Sequence, residues 1–184
     1  MAKFVLASAS PRRRELLARV GLYPDVRPAD VDEAIHPAEP PVDYGLRVAR
    51  DKAAAIGGEQ PVLAADTVVE LEGVSLGKAG SAAEAEAFLR RLSARTHRVH
   101  TAVVLRTPAR SRDRVVTTEV RFRDLSEAEI ARYVATGEPM DKAGAYGIQG
   151  LGGALVAELR GSYSNVIGLP LEETLQLLSE EGLT

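Results

Sequence analysis

The stretch Phe4-Val5-Leu6-Ala7-Ser8-Ala9-Ser10-Pro11-Arg12-Arg13 decides the fold class. Its apolar run, Phe4 to Ala7, reads as a short buried strand that stops at two serines. Pro11 then opens a helical pattern in which Leu16, Leu17 and Val20 share a face, and Gly21 closes it. Ser10 suits the N-cap and Pro11 the first helical position. A strand that runs straight into a helix sets up the alternation on which the fold rests, and the junction has a chemical side. Free backbone N–H groups and the helix dipole favour an anion there, next to the hydroxyls of Ser8 and Ser10. Arg12 or Arg13 can hold a phosphate bidentately. The same residues also make a well-capped helix with solvated arginines, and the segment alone does not choose between the two.

Outward from this junction the alternation continues. The strand is read over 3–8, the helix over 11–20, and an extended or loop segment over 23–38. Pro40-Pro41 precedes a helix over 41–56, with Val42, Leu46, Ala49, Ala53 and Ile56 along one side. A strand covers 61–71. Ser81 and Glu84 form a capping box for a helix ending near Leu92. Two extended runs, 96–106 and 114–123, flank a polar loop containing Pro108 and read as an antiparallel pair. Ser126 and Glu129 make a second capping box, and Gly137 ends that helix. A glycine-rich loop over 144–153, a strand over 154–159 and a closing helix over 170–179 complete the chain. The expected fold is α/β, with a mixed, twisted central sheet flanked by helices. A second lobe containing the hairpin and a cleft between the lobes are expected, within a single domain over 1–184.

The 184 residues suffice for a sizeable core, and their composition, 45% hydrophobic and 27% charged, is that of a globular protein. The net charge of −3 leaves no broad basic field, which argues against nucleic acid as a partner. The absence of cysteine excludes disulfides, thiolate metal sites and a cysteine nucleophile. No charged leader followed by an apolar stretch opens the sequence, and no run approaches a membrane span, so the expectation is a cytoplasmic protein without a membrane partner. Of 23 basic residues only Lys3, Lys52, Lys78 and Lys142 are lysine. In a chain this rich in arginine, a surviving lysine marks a place where a compact ammonium suits a phosphate beside a metal. Lys3, near the terminus, reads as incidental.

Several motifs carry chemistry, and some that resemble familiar ones do not. Asp66 ends a buried apolar run, where a carboxylate can coordinate Mg²⁺ or accept a proton from water, and Thr67 beside it can bond a ligand edge. Gly77-Lys78 fails as a P-loop, because Glu72 stands where the motif needs glycine and Ala79 where it needs Ser or Thr. The dinucleotide pattern fails at Leu155. Glu33 reads either as a second metal carboxylate or as a solvated loop residue, and Lys52 as an exposed helix lysine beside Asp51. His97 and His100, three apart on a strand, face opposite sides and cannot share one ion. The densest stretch is Asp141-Lys142-Ala143-Gly144-Ala145-Tyr146-Gly147-Ile148-Gln149-Gly150. Its glycines let the backbone approach a ligand, and the Gln149 amide, a donor beside an acceptor, matches the edge of a pyrimidine base.

With these residues in view the chain resembles the Maf-type nucleoside triphosphate pyrophosphatases, from Leu6 to Gly168-Leu169-Pro170-Leu171. Ser8-x-Ser10-x-Arg12-Arg13, Ala65-Asp66-Thr67, Gly77-Lys78, Thr96-His97, Thr101-Ala102-Val103, the stretch from Asp141 to Gly150 and Gly161-Ser162-Tyr163 carry it. The resemblance implies a Maf/ITPase-like fold and hydrolysis of a nucleoside triphosphate to a monophosphate and pyrophosphate. It makes Asp66 the general base, Glu33 and Asp66 the holders of a divalent metal (Mg²⁺, with Mn²⁺ or Co²⁺ as alternatives), and Lys52 and Lys78 phosphate ligands. Ser8, Ser10, Arg13 and Lys142 would complete the substrate-binding set, while Arg12, Thr67 and Gln149 would read the base. Arg, Thr and Gln at those positions accompany dTTP and UTP as substrates. The chain departs from the family at Ala79, where proline often stands, and at Ala94, where glycine does. A homodimer is common among relatives, and the family is associated with septum formation. The rival readings are a non-catalytic nucleotide-binding regulator of cell division and a nucleotidyltransferase, for which no acceptor motif is found.

Overall fold

The computed structural model describes residues 4–184. Lys3, the first residue of the strand expected over 3–8, lies outside them. Three strands, β3 (Val62–Leu71), β5 (Thr96–Arg106) and β6 (Ser111–Phe122), pair antiparallel over almost their whole lengths. Alternation explains them. In β5, His97, Val99, Thr101, Val103 and Leu105 point to one face, and His100, Ala102 and Val104 to the other. β1 (Val5–Leu6) lies parallel to both β3 and β2 (Asp25–Val26), and β7 (Val156–Arg160) closes the far edge. The order is β2-β1-β3-β5-β6-β7, with the short β4 (Val74–Leu76) folding back on β3. The sheet is therefore mixed, as expected.

Helices cover it in three groups. α1 (Pro11–Arg19), α5 (Tyr163–Ile167) and α6 (Leu171–Glu180) supply Leu16, Leu17, Ile167, Leu177 and Leu178 against Leu6, Leu63, Val103 and Leu105. α2 (Pro41–Ala55) covers the opposite face, with Ala49 and Ala53 on Val5, Val62, Ala64 and Val104. α3 (Ala82–Leu92) and α4 (Glu127–Ala135) pack Leu89, Leu92, Ile130 and Val134 on the distal half, around Val99, Val120 and Phe122. The hairpin of β5 and β6 contributes to the second lobe but also runs through the first. An 11-residue strand spans roughly 37 Å, too long for one core to cover.

Local signals held unevenly. Ser126 and Glu129 form the complete capping box, whereas Glu84 caps the Gly80 N–H and leaves Ser81 to cap alone. Ser10 stands at the N-cap of α1, yet its hydroxyl makes no capping bond; its own N–H donates to Ser8 Oγ at 3.2 Å. Gly144, at φ +68°, crosses so close to β3 that a Cβ there would lie 2.8 Å from Val69.

Candidate functional site: a cleft at a break in the sheet

On one edge of β3, β1 pairs only at Val62 and Leu63 and β4 only at Val69 to Leu71. Between them, among the described residues, Ala64 to Val68 have no strand partner on that edge. A cleft of about 780 Å³ opens there. Asp66 therefore lies mid-strand rather than at a strand end, but beyond the carboxyl end of the truncated β1, so that, though buried, it lines the cleft. All eleven residues singled out from the sequence line this cleft: Ser8, Ser10, Arg12, Arg13, Glu33, Lys52, Asp66, Thr67, Lys78, Lys142 and Gln149.

Asp66 and Thr67 point to opposite faces of β3, and two different networks hold them. On the α2 face, Lys52 Nζ lies 2.8 Å from Asp66 Oδ1 and 2.8 Å from Glu33 Oε1. Lys52 is 8% exposed, contrary to its reading as a solvated helix lysine. Gly45, about two turns earlier on the same stripe of α2, lets the helix approach β3: a Cβ there would touch Val68 at 3.0 Å. Burial pushes the Asp66 carboxyl above its ordinary range, against the pull of Lys52 and Arg13. Partial burial would raise the Glu33 carboxyl, but Lys52, with Lys78 and Arg13 adding, holds it below its ordinary range. Tyr44, which the sequence reading passed over, donates to the Glu33 carbonyl at 3.0 Å and fixes the loop. Burial, then the charges of Asp66 and Glu33, push its hydroxyl up to about 12.

On the α1 face, the buried Arg13 guanidinium donates to Ser8 Oγ and Thr67 Oγ1 at 3.1 Å each and to the Gly168 carbonyl at 2.7 Å. Thr67 continues to Thr101 at 3.0 Å, and Thr101 donates to the Asn165 carbonyl. Arg13 thus ties three walls of the cleft together. Arg12, partly exposed, reaches across the opening to Asp141 at 3.1 Å. Lys142 is engaged with Asp141 Oδ1 and the Glu138 carbonyl at 2.6 Å each. Lys78, exposed and held at its backbone by a bridge to Ala143, has no ion-pair partner among the described residues. His97 and His100 do face opposite sides: His97 bonds Tyr146 at 2.8 Å, and His100 bonds Glu70 at 2.6 Å and Thr117 at 2.8 Å.

The arrangement offers an anion cradle at the start of α1, a buried carboxylate at its edge and a free ammonium opposite. Residues 3–181 match the model of the family described as Maf-like protein. The chain belongs to the Maf family. A protein named dTTP/UTP pyrophosphatase from Anaeromyxobacter dehalogenans (strain 2CP-C) is 59% identical over 184 residues, covering 98% of this chain and 94% of its own. A second of that name, from Anaeromyxobacter sp. (strain Fw109-5), is 56% identical over 185 residues, covering 98% and 90%. The solved structure of the Staphylococcus aureus Ham1 protein aligns with this Maf chain at a TM-score of 0.46 and 18% identity, over 66% of this chain and 72% of that one.

Proposed function

We propose that this protein hydrolyses dTTP and UTP between the α- and β-phosphates, giving the nucleoside monophosphate and pyrophosphate. The observation that carries the chemistry is the placement of Asp66, a buried carboxylate 2.8 Å from Lys52 at the unpaired edge of β3, in the same cleft as the N-terminus of α1. The names of the relatives support the choice of substrate. A water attacks the α-phosphorus, Asp66 accepts its proton, and the bond from the α-phosphorus to the bridging oxygen breaks with release of pyrophosphate. The raised affinity of Asp66 for a proton suits a base. The phosphates lie against the open N–H groups at the start of α1, with Ser8 held in place by Arg13. Lys78, the unpaired cation, balances charge on the departing pyrophosphate. Arg12, Thr67 and Gln149 face the base.

A divalent cation fits this site as a shared ion. Mg²⁺ is usually bound by one or two carboxylates with substrate phosphates and water, and Asp66 and Glu33 converge on a single ammonium. Among the described residues no third His, Cys, Asp or Glu joins them, so an all-protein cage does not fit. When bound, the ion would neutralise phosphate charge and polarise the phosphorus. The protein would act in the cytoplasm on the free nucleotide, without nucleic acid or membrane partners and as a homodimer.

The test is steady-state hydrolysis of dTTP, UTP, ATP and GTP by the wild type and by Asp66→Asn. The wild type should prefer dTTP and UTP, and the variant should lose about 10²–10⁴-fold in kcat while still binding nucleotide. Normal turnover by the variant would remove Asp66 as the base, and binding without turnover by the wild type would favour the regulator.

A further inference from the structure

Glu138 lines the cleft, yet both its carboxylate oxygens are turned to the glycine-rich loop. Oε2 accepts from the Leu151 N–H at 2.9 Å, and Oε1 from the Gly152 N–H at 2.9 Å and from the Tyr133 hydroxyl at 2.8 Å. The Tyr133 hydroxyl oxygen accepts in turn from the Gly147 N–H at 3.0 Å. Burial raises the Glu138 carboxyl, but the two N–H donors and Tyr133 hold it below its ordinary range, so it is ionised. The loop wraps this pair without space to spare. A Cβ at Gly150 would stand 2.3 Å from Glu138 Oε2, and one at Gly152 would stand 2.5 Å from the Tyr133 hydroxyl.

Between these anchors the loop carries Gln149, which is exposed and has no hydrogen-bond partner among the described residues. Its amide is therefore placed by the backbone on either side and by the packing of Ile148 into the cores. We infer that Glu138, with Tyr133, is the positioning residue that sets the Gln149 amide against the nucleobase and so fixes base selectivity without touching the nucleotide. The inference rests on the reading of the cleft as a pyrimidine triphosphate site. A carboxylate with three donors already on it has little left for a ligand, and its charge is repelled by phosphate. A half-buried ionised acceptor that holds two loop N–H groups also makes the loop rigid before substrate arrives, which lowers the ordering cost of binding.

The experiment measures kcat and KM for dTTP, UTP and GTP with the wild type, Glu138→Ala, Glu138→Gln and Tyr133→Phe, with thermal melting alongside. Loss of the carboxylate should raise KM for dTTP and UTP about tenfold, with kcat within about twofold, because a charge-assisted anchor is lost while the reacting groups stay in place. The preference over GTP should fall by a similar factor. Glu138→Gln and Tyr133→Phe should move selectivity in the same direction by less; should Glu138→Ala fail to fold, these two decide. Folded variants with the wild-type ratio of dTTP to GTP, or with kcat lowered equally on all three, would overturn the role of Glu138 and leave the site reading intact. A wild type without pyrimidine preference would overturn both.

Discussion

Lys52 shows how a single side chain sets the chemistry of this cleft and why it was hard to read. Asp51 beside it and the apolar stripe of Val42, Leu46 and Ala49 place it on the polar side of α2. The buried stripe instead runs through Gly45, Val48, Ala49 and Lys52. Glycine gives no hydrophobic signal and lysine gives a contrary one, so periodicity misplaces the face. His97 carries a prediction of its own. Burial among Phe122 and Tyr146 pushes it from 6.5 down to about 4, and its Nδ1 has no partner. The folded state therefore resists a proton that the unfolded chain accepts. Stability from this group is complete above pH 6.5 and declines as pH falls toward about 4, by of order 3 kcal/mol. Urea unfolding of the wild type and of His97→Gln between these limits should give a flatter dependence for the variant; parallel curves would show that another group titrates. Glu138 and Tyr133 were not legible, because no local spacing ties them to the loop they hold.

At the scale of elements, the crossing of the loop over β3 at Gly144 is the tightest joint near the site. A methyl group there meets Val69 at 2.8 Å, in a backbone conformation with φ +68° that L residues avoid. Gly144→Ala should cost about 2–4 kcal/mol by thermal or urea unfolding, and adding Val69→Ala should recover part of that. An additive loss in the double variant would contradict the contact. The long elements, from α2 to β6, were legible from apolar periodicity, capping residues and proline. Of the short ones, β1 and β7 were read as strands, but β4 and α5 were missed. β4 follows a two-residue turn at Glu72 and Gly73, both with positive φ, a hairpin signal that the sequence did carry. α5, five residues capped by Ser162, is too short to show a period.

Across the whole molecule, strands that run through both lobes leave one long edge, and two short partners, β1 and β4, fail to cover its middle. The break collects residues from Ser8 to Gln149 into one cleft, which explains why scattered motifs mark the site better than any one of them. Alternation of strands and helices made the α/β class legible, while the break depends on pairing lengths that periodicity does not encode. The charge arrangement follows from the fold: cations from α1, α2 and the loop after β4 surround two carboxylates that Lys52 bridges. The chemistry proposed for this cleft turns on water attacking the α-phosphorus. Hydrolysis of dTTP in ¹⁸O-labelled water, with mass analysis of both products, tests it most directly. Label should enter the thymidine monophosphate and not the pyrophosphate; label in the pyrophosphate, or release of single phosphate, would contradict attack at the α-phosphorus.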